Sequence, residues 1–182
     1  MASIRLSSLL LLFVCTAVLA QAPTRVRGTI AAFDGVTLSV TGGGLIQVDD
    51  KTQIVFAEPI ALADIRPGDF LGVTSVKAQN GALTAYEVRR FPQALNPGHR
   101  AFDGRDDQTM TNATVGAVVQ SASGRDLVLI YDGGTQQIKV PPEASVSQLV
   151  PGNKDHLVPG ATVSLTHNAG VALRIQVSPP KL

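Results

Sequence analysis

Ile65-Arg66-Pro67-Gly68-Asp69-Phe70-Leu71 returns, changed but recognisable, as Leu157-Val158-Pro159-Gly160-Ala161-Thr162-Val163. An acidic residue stands just before each, Asp64 and Asp155. Pro fixes φ near −65° and Gly accepts positive φ, so each Pro-Gly step reads as a tight turn that launches a strand. A repeat of this kind points to duplication of a whole structural unit. Upstream, Gly28-Thr29-Ile30 followed by Val36-Thr37-Leu38-Ser39-Val40 resembles Gly116-Ala117-Val118 followed by Asp126-Leu127-Val128-Leu129. Downstream, Asn80-Gly81-Ala82-Leu83 is echoed by Asn168-Ala169-Gly170-Val171-Ala172-Leu173. Residues 24–92 and 113–178 are therefore taken as two copies, joined by residues 93–112.

Inside each copy the apolar period is two. Thr37-Leu38-Ser39-Val40 and Leu83-Thr84-Ala85-Tyr86-Glu87-Val88 alternate as half-buried strands do. Asp34-Gly35, Gly42-Gly43-Gly44, Asn80-Gly81 and Asp132-Gly133-Gly134 punctuate them as turns. Strands are expected near 25–33, 37–41, 45–56, 70–77 and 83–90, and again near 114–121, 126–132, 135–140, 161–167 and 171–177. Glu58 to Asp64 and Glu143 to Leu149 alternate little and are expected to be short helical segments. Five strands with a helical piece after the third is the order of the OB barrel. The expected fold is thus all-β: two tandem OB-like five-stranded small barrels, 21–92 and 113–182, with 93–112 as the inter-domain joint. Each copy, at about 65 residues, is short for an independent core, so a contact between the two is expected.

The N-terminus is set apart from this pattern. Arg5, the apolar run Leu9 to Leu19 and the small-residue site Val18-Leu19-Ala20 read as a secretory signal peptide, residues 1–20, cut after Ala20. The run is shorter than the roughly 20 residues that span a bilayer. Cleavage removes Arg5 and the only cysteine, Cys15, which Val14 precedes where a lipid-anchor site needs a small residue. The mature chain then has no thiol for catalysis, disulfides or metal binding, and its charges balance. No membrane span follows residue 20. A neutral chain with few aromatics lacks the charged, stacking surface that nucleic-acid binding needs.

The joint concentrates the distinctive chemistry. His99, Arg100, Phe102, Asp103, Arg105, Asp106, Asp107 and Met110 lie among turn formers there. Imidazole from His99, carboxylate from Asp103, Asp106 or Asp107, and thioether from Met110 are the types that hold zinc or copper, with His99, Asp103 and Met110 the set taken, so a divalent or copper ion is a candidate partner. In the competing reading, Arg100 and the aspartates pair with one another and pin the joint. Arg100, Phe102, Asp106 and Asp107 form a candidate interaction surface. His156 and His167 bracket one strand and fall roughly 20 Å apart, too far to share an ion. Arg25 and Arg27 share a strand face and, with Arg89 and Arg90, form a small anion patch if the first and last strands approach. The alternative pairs them with Asp49, Asp50 or Glu87. Nucleophile elbows, zinc-protease helices and dinucleotide loops are absent from the sequence, so neither catalysis nor a cofactor is expected.

The Pro-Gly repeat after a Gly-Thr-Ile start resembles an exported bacterial domain family of unknown function with OB-like barrels. Gly98-His99-Arg100-Ala101-Phe102-Asp103 and Met110-Thr111-Asn112-Ala113-Thr114-Val115 are similar to a tandem-repeat branch of it, often labelled metal transporter permeases by automatic naming. Where that branch carries a Trp, Ala101-Phe102 keeps a stacking ring without the indole donor. The resemblance implies a periplasmic protein. Together these readings predict an exported, non-catalytic binding or structural module whose partner is a protein or small ligand. The alternative is a periplasmic metal-handling protein using the joint around His99.

Overall fold

The structure, a computed structural model, describes residues 22–121 and 124–180. The expected signal peptide lies outside the described residues. The described chain is all-β, with thirteen strands and two single 3-10 turns, Leu62–Asp64 and Lys154–His156. Among the described residues no helix is long and apolar enough to cross a membrane.

The first copy supplies β1 (Thr24–Phe33), β2 (Thr37–Val40), β3 (Gly44–Gln47), β4 (Gln53–Pro59), β5 (Phe70–Lys77) and β6 (Leu83–Phe91). Asp34 ends β1 in an Asx turn, its Oδ1 accepting from Val36 N at 2.9 Å and Thr37 N at 2.6 Å. A second Asx turn, Asp49 accepting from Lys51 N at 3.0 Å, divides the expected strand 45–56 into β3 and β4. Next come β7 (Gly98–Phe102) and the 17-residue β8 (Arg105–Ser121). The second copy continues with β9 (Gly124–Tyr131), β10 (Gly134–Val140), β11 (Ser145–Pro151), β12 (Thr162–Asn168) and β13 (Val171–Ser178).

The pairing between strands corrects the tandem arrangement. β1, β2 and β3 pair in sequence. The ring they begin is closed by the second copy: β12 lies along β1 from Thr24↔His167 to Thr29↔Thr162, and β13 reaches β3 at Val171↔Gln47 and β4 at Ile175↔Ile54. Reciprocally, β8, β9 and β10 are closed by β5, paired with β8 from Phe70↔Thr114, and by β6, which meets β10 at Leu83↔Ile138 and β11 at Val88↔Val146. Each ring thus takes its first three strands from one copy and its last two from the other.

The apolar cores follow the rings. Ile30, Leu38 and Ile46 of the first copy pack with Leu165, Ile175 and Val177 of the second. Leu71, Val73 and Val88 pack with Leu127, Leu129 and Ile138. Neither 21–92 nor 113–182 therefore holds a core of its own. The expected boundary at 93–112 does not divide the cores.

The cause lies at β4 and β11. They pair antiparallel, with Val55↔Pro151 and Pro59↔Ser147 flanking the central Ala57↔Leu149, so the two copies are related about that central pair. Each strand leaves its own ring and the chain crosses into the other. The crossings are where helical segments were expected. The first ends in the 3-10 turn Leu62–Asp64, but 145–151 is strand, and the second turn falls later, at Lys154–His156. Residues 143–149 misread as helical because the buried positions of β11 are Ser147 and Leu149, so a polar residue sits where period-two alternation needs an apolar one.

The Pro-Gly turns form as expected, with Gly68 at φ 93° and Gly160 at φ 85°. They also stitch the exchange. Gly68 N donates to Val115 O and Val115 N to Asp69 O, both at 2.8 Å, while Gly160 N donates to Ile30 O at 2.9 Å and Ile30 N to Ala161 O at 2.8 Å. Ile30 is thereby the counterpart of Val115. The Gly28-Thr29-Ile30 segment corresponds to Ala113-Thr114-Val115, three residues before the similarity read from the sequence. Gly116 instead occupies a β-bulge, where a Cβ would lie 2.5 Å from Ile130 Cδ1.

Candidate functional site

The expected joint is a β-hairpin. β7 pairs β8 from Gly98↔Asn112 to Phe102↔Arg105. Asp103 (φ 52°) and Gly104 (φ 69°) make its two-residue turn, both left-handed as a type I′ turn requires. Register then decides where the candidate ligands point. His99 is opposite Thr111 and Arg100 opposite Met110, and opposed residues share a face while neighbours do not. His99 and Met110 therefore face opposite sides of the ribbon. His99 Nδ1 lies 2.8 Å from Thr111 Oγ1, and burial, then the Lys77 charge, hold its pKa below the usual value. The Met110 sulfur lies 3.9 Å from the Thr74 hydroxyl. Asp103, at the tip, pairs with Arg27.

The trio His99, Asp103 and Met110 is thus not brought together. No group of three or more His, Cys, Asp or Glu able to hold a metal occurs among the described residues. The other histidines have structural partners. His156 packs on Phe56 with ring centroids 4.2 Å apart, and His167 Nδ1 accepts from Gly170 N at 3.2 Å. Asp107 accepts two hydrogen bonds from the Arg105 guanidinium, at 3.0 and 2.9 Å, which lower its pKa. Asp106 is exposed on the same strand.

The hairpin tip reaches across to the first ring. The Phe102 ring lies under the Arg27 guanidinium, 5.1 Å from Cζ to centroid, while the Asp103 carboxylate pairs with the same group. Below this contact is a cleft of about 580 Å³. Its first wall is the outer face of the first ring: Arg25 and Arg27 of β1, Ser164 of β12, Gln176 and Ser178 of β13. Its second wall carries Glu87, Arg89 and Phe91 of β6 with Met110 and Asn112 of β8. Leu95, Asn96, Arg100, Ala101 and Phe102 complete the rim. Asn112 holds that rim by donating to Leu95 O at 3.0 Å and Asn96 O at 3.2 Å.

Four arginines line the cleft against two carboxylates, Glu87 and Asp103. The Arg89 side chain is only 14% exposed. Its Nη2 donates to Glu87 and to Ser178 Oγ at 3.4 Å, while its buried Nε has no hydrogen-bond partner among the described residues. Burial lowers the Arg89 pKa, against the opposing pull of Glu87. Arg100 donates to Asn96 O at 3.2 Å. Arg25 is exposed and forms no ion pair among the described residues.

Of the four arginines grouped in the sequence, Arg25, Arg27 and Arg89 line the cleft, but Arg27 pairs with Asp103 and Arg89 with Glu87, the latter as the alternative reading expects. Arg90 is not part of the cleft: it turns towards Asp69 at 3.5 Å and Asp64 O at 3.2 Å. The expected pairing with Asp49 and Asp50 does not form, since Asp49 serves its own turn and Asp50 meets Lys154. Gln176, Ser178, Phe91 and Asn112 were not singled out in the sequence, because only the strand exchange places them on one cleft. No family model, curated protein or solved structure matches the chain.

Proposed function

We propose that the chain is an exported, non-catalytic binding module. Its two OB-like five-stranded barrels, exchanged in their last two strands, hold between them a cleft for an anionic ligand. The OB-like reading is supported by the ring order, first-second-third-fifth-fourth strand, with single 3-10 turns at the crossings. Export to the periplasm is supported by Arg5, the apolar run and the Ala20 site, together with the family resemblance. The cleft lies outside strands one, four and five, away from the strand two–three face that OB barrels commonly use. The observation that carries the binding reading is the convergence of Arg25, Arg27, Arg89 and Arg100 on one cavity, with one guanidinium buried and incompletely hydrogen-bonded. A metal-handling role has no side-chain cluster to support it among the described residues.

Thermal unfolding in the presence of phosphate, citrate and short dicarboxylates tests this reading. A ligand at 100 times its Kd adds about 2.7 kcal/mol of stability. At least one of these anions is expected to raise Tm, and Arg25→Gln combined with Arg100→Gln is expected to abolish the shift. No shift at millimolar anion, or a shift unchanged in that variant, contradicts it.

A further inference from the structure

The two walls of the cleft are counterparts in the duplicated chain, and they differ position by position: Arg27 answers to Asn112 and Gln176 to Arg89, while two other positions change from polar to apolar. Thr162↔Thr29, Ser164↔Arg27 and Thr166↔Arg25 in one ring match Phe70↔Thr114, Gly72↔Asn112 and Thr74↔Met110 in the other. Likewise Thr162↔Ser178 and Ser164↔Gln176 match Phe70↔Phe91 and Gly72↔Arg89. Arg25 thus answers to Met110, and Ser178 to Phe91. One wall is cationic and hydroxylated. The other has become apolar at those positions, and Phe91 packs edge-on against Phe70 at 6.3 Å between centroids. Leu95, 47% exposed, extends the apolar side at the rim.

Resting on the binding reading above, we infer that the ligand is an amphiphilic anion: a carboxylate or phosphate head against Arg25 and Arg27, with an apolar body along Phe91, Met110 and Leu95. The protein itself displays the head's chemistry. The Asp103 carboxylate and the Phe102 ring together engage Arg27, so this guanidinium accepts a carboxylate and an apolar face at once. An incoming head competes with Asp103 for it. The half-open cleft, of about 580 Å³, has the volume of a site for one small molecule, which favours a single free amphiphile over a bilayer surface.

Titration calorimetry of the purified chain with straight-chain carboxylates from butanoate to octanoate, below micelle-forming concentrations, tests this. Affinity is expected to rise by up to about fourfold per added methylene, the factor for a fully buried one. Arg25→Gln with Arg27→Gln should abolish binding at every length. Leu95→Ser, which adds no charge, should weaken octanoate severalfold more than butanoate, and Asp103→Asn should tighten both. Circular dichroism melting confirms that each variant is folded, as these side chains lie outside both cores. Affinity independent of chain length, with phosphate or citrate still bound through the arginines, overturns the amphiphile and leaves the cleft reading standing. Octanol binding as tightly as octanoate, or binding only to anionic phosphatidylglycerol vesicles, also overturns it. Absence of binding by every anion, in the parent and in Asp103→Asn, overturns both.

Discussion

Replacing Leu129 by Ala probes whether the cores are shared between the copies. Leu129 belongs to the second copy and is fully buried, at 0% exposure, in the core that also holds Leu71, Val73 and Val88 of the first. Truncating a buried Leu removes its transfer free energy and leaves a cavity, which together cost about 3 kcal/mol in a tightly packed core. At 1.4 kcal/mol per factor of ten, opening of that core becomes about 150-fold more frequent. Native-state hydrogen exchange reads this directly, since amide protection reports the opening free energy of each cooperative unit. Protection is expected to fall by about that factor in β5 and β6, which belong to the first copy, while β12 and β13, in the same copy as the substitution, keep theirs. Loss of protection in β12 and β13 with β5 and β6 unaffected would refute the exchanged cores.

Other substitutions test smaller parts of the account. Gly68→Ala forces a Cβ onto φ 93° in the turn that bonds to Val115, and chemical denaturation should show a loss of about 1–2 kcal/mol. Arg89→Met removes the partner of Glu87; its urea unfolding free energy should fall, by less than the about 3 kcal/mol of a fully buried pair because Glu87 is partly solvated, while anion binding is lost. His99 has its pKa lowered by burial and by Lys77, so the unfolded chain takes up its proton more readily. Its contribution is complete above the unfolded value near 6.5 and is lost as pH falls through the folded value. Urea midpoints measured between pH 7.5 and 5 should therefore fall, and His99→Gln should flatten that slope.

Much of the secondary structure could be read from the sequence because it is set locally. Period-two alternation located β5 at 70–77, and the Asx and Pro-Gly turns carry their own conformational logic. The strand at 114–121 is legible from its alternation, whereas the charged residues around Asp103-Gly104, itself a strong two-residue turn signal, mask the hairpin at 98–112 because they fit a ligand-bearing loop equally well. Ring membership was not legible. Residues such as Val163 and Val73 alternate identically whether their strand pairs with its own copy or the other, so the pattern specifies a face and not a partner. The cleft followed from that. Arg25 and Arg27 could be placed on one face from their spacing, whereas Gln176 and Ser178 reach them only through β12.

Disulfide capture across the first strand asks most directly which copy closes each ring. In a Cys15→Ser background, Thr29→Cys with Thr162→Cys joins residues that are register partners on β1 and β12. Thr29→Cys with Phe70→Cys joins the positions that an unexchanged first copy would pair. Mild oxidation followed by non-reducing electrophoresis and peptide mapping should give an intramolecular 29–162 bridge and none between 29 and 70. Efficient 29–70 capture, with 29–162 remaining reduced, would contradict the exchange and the shared cleft with it.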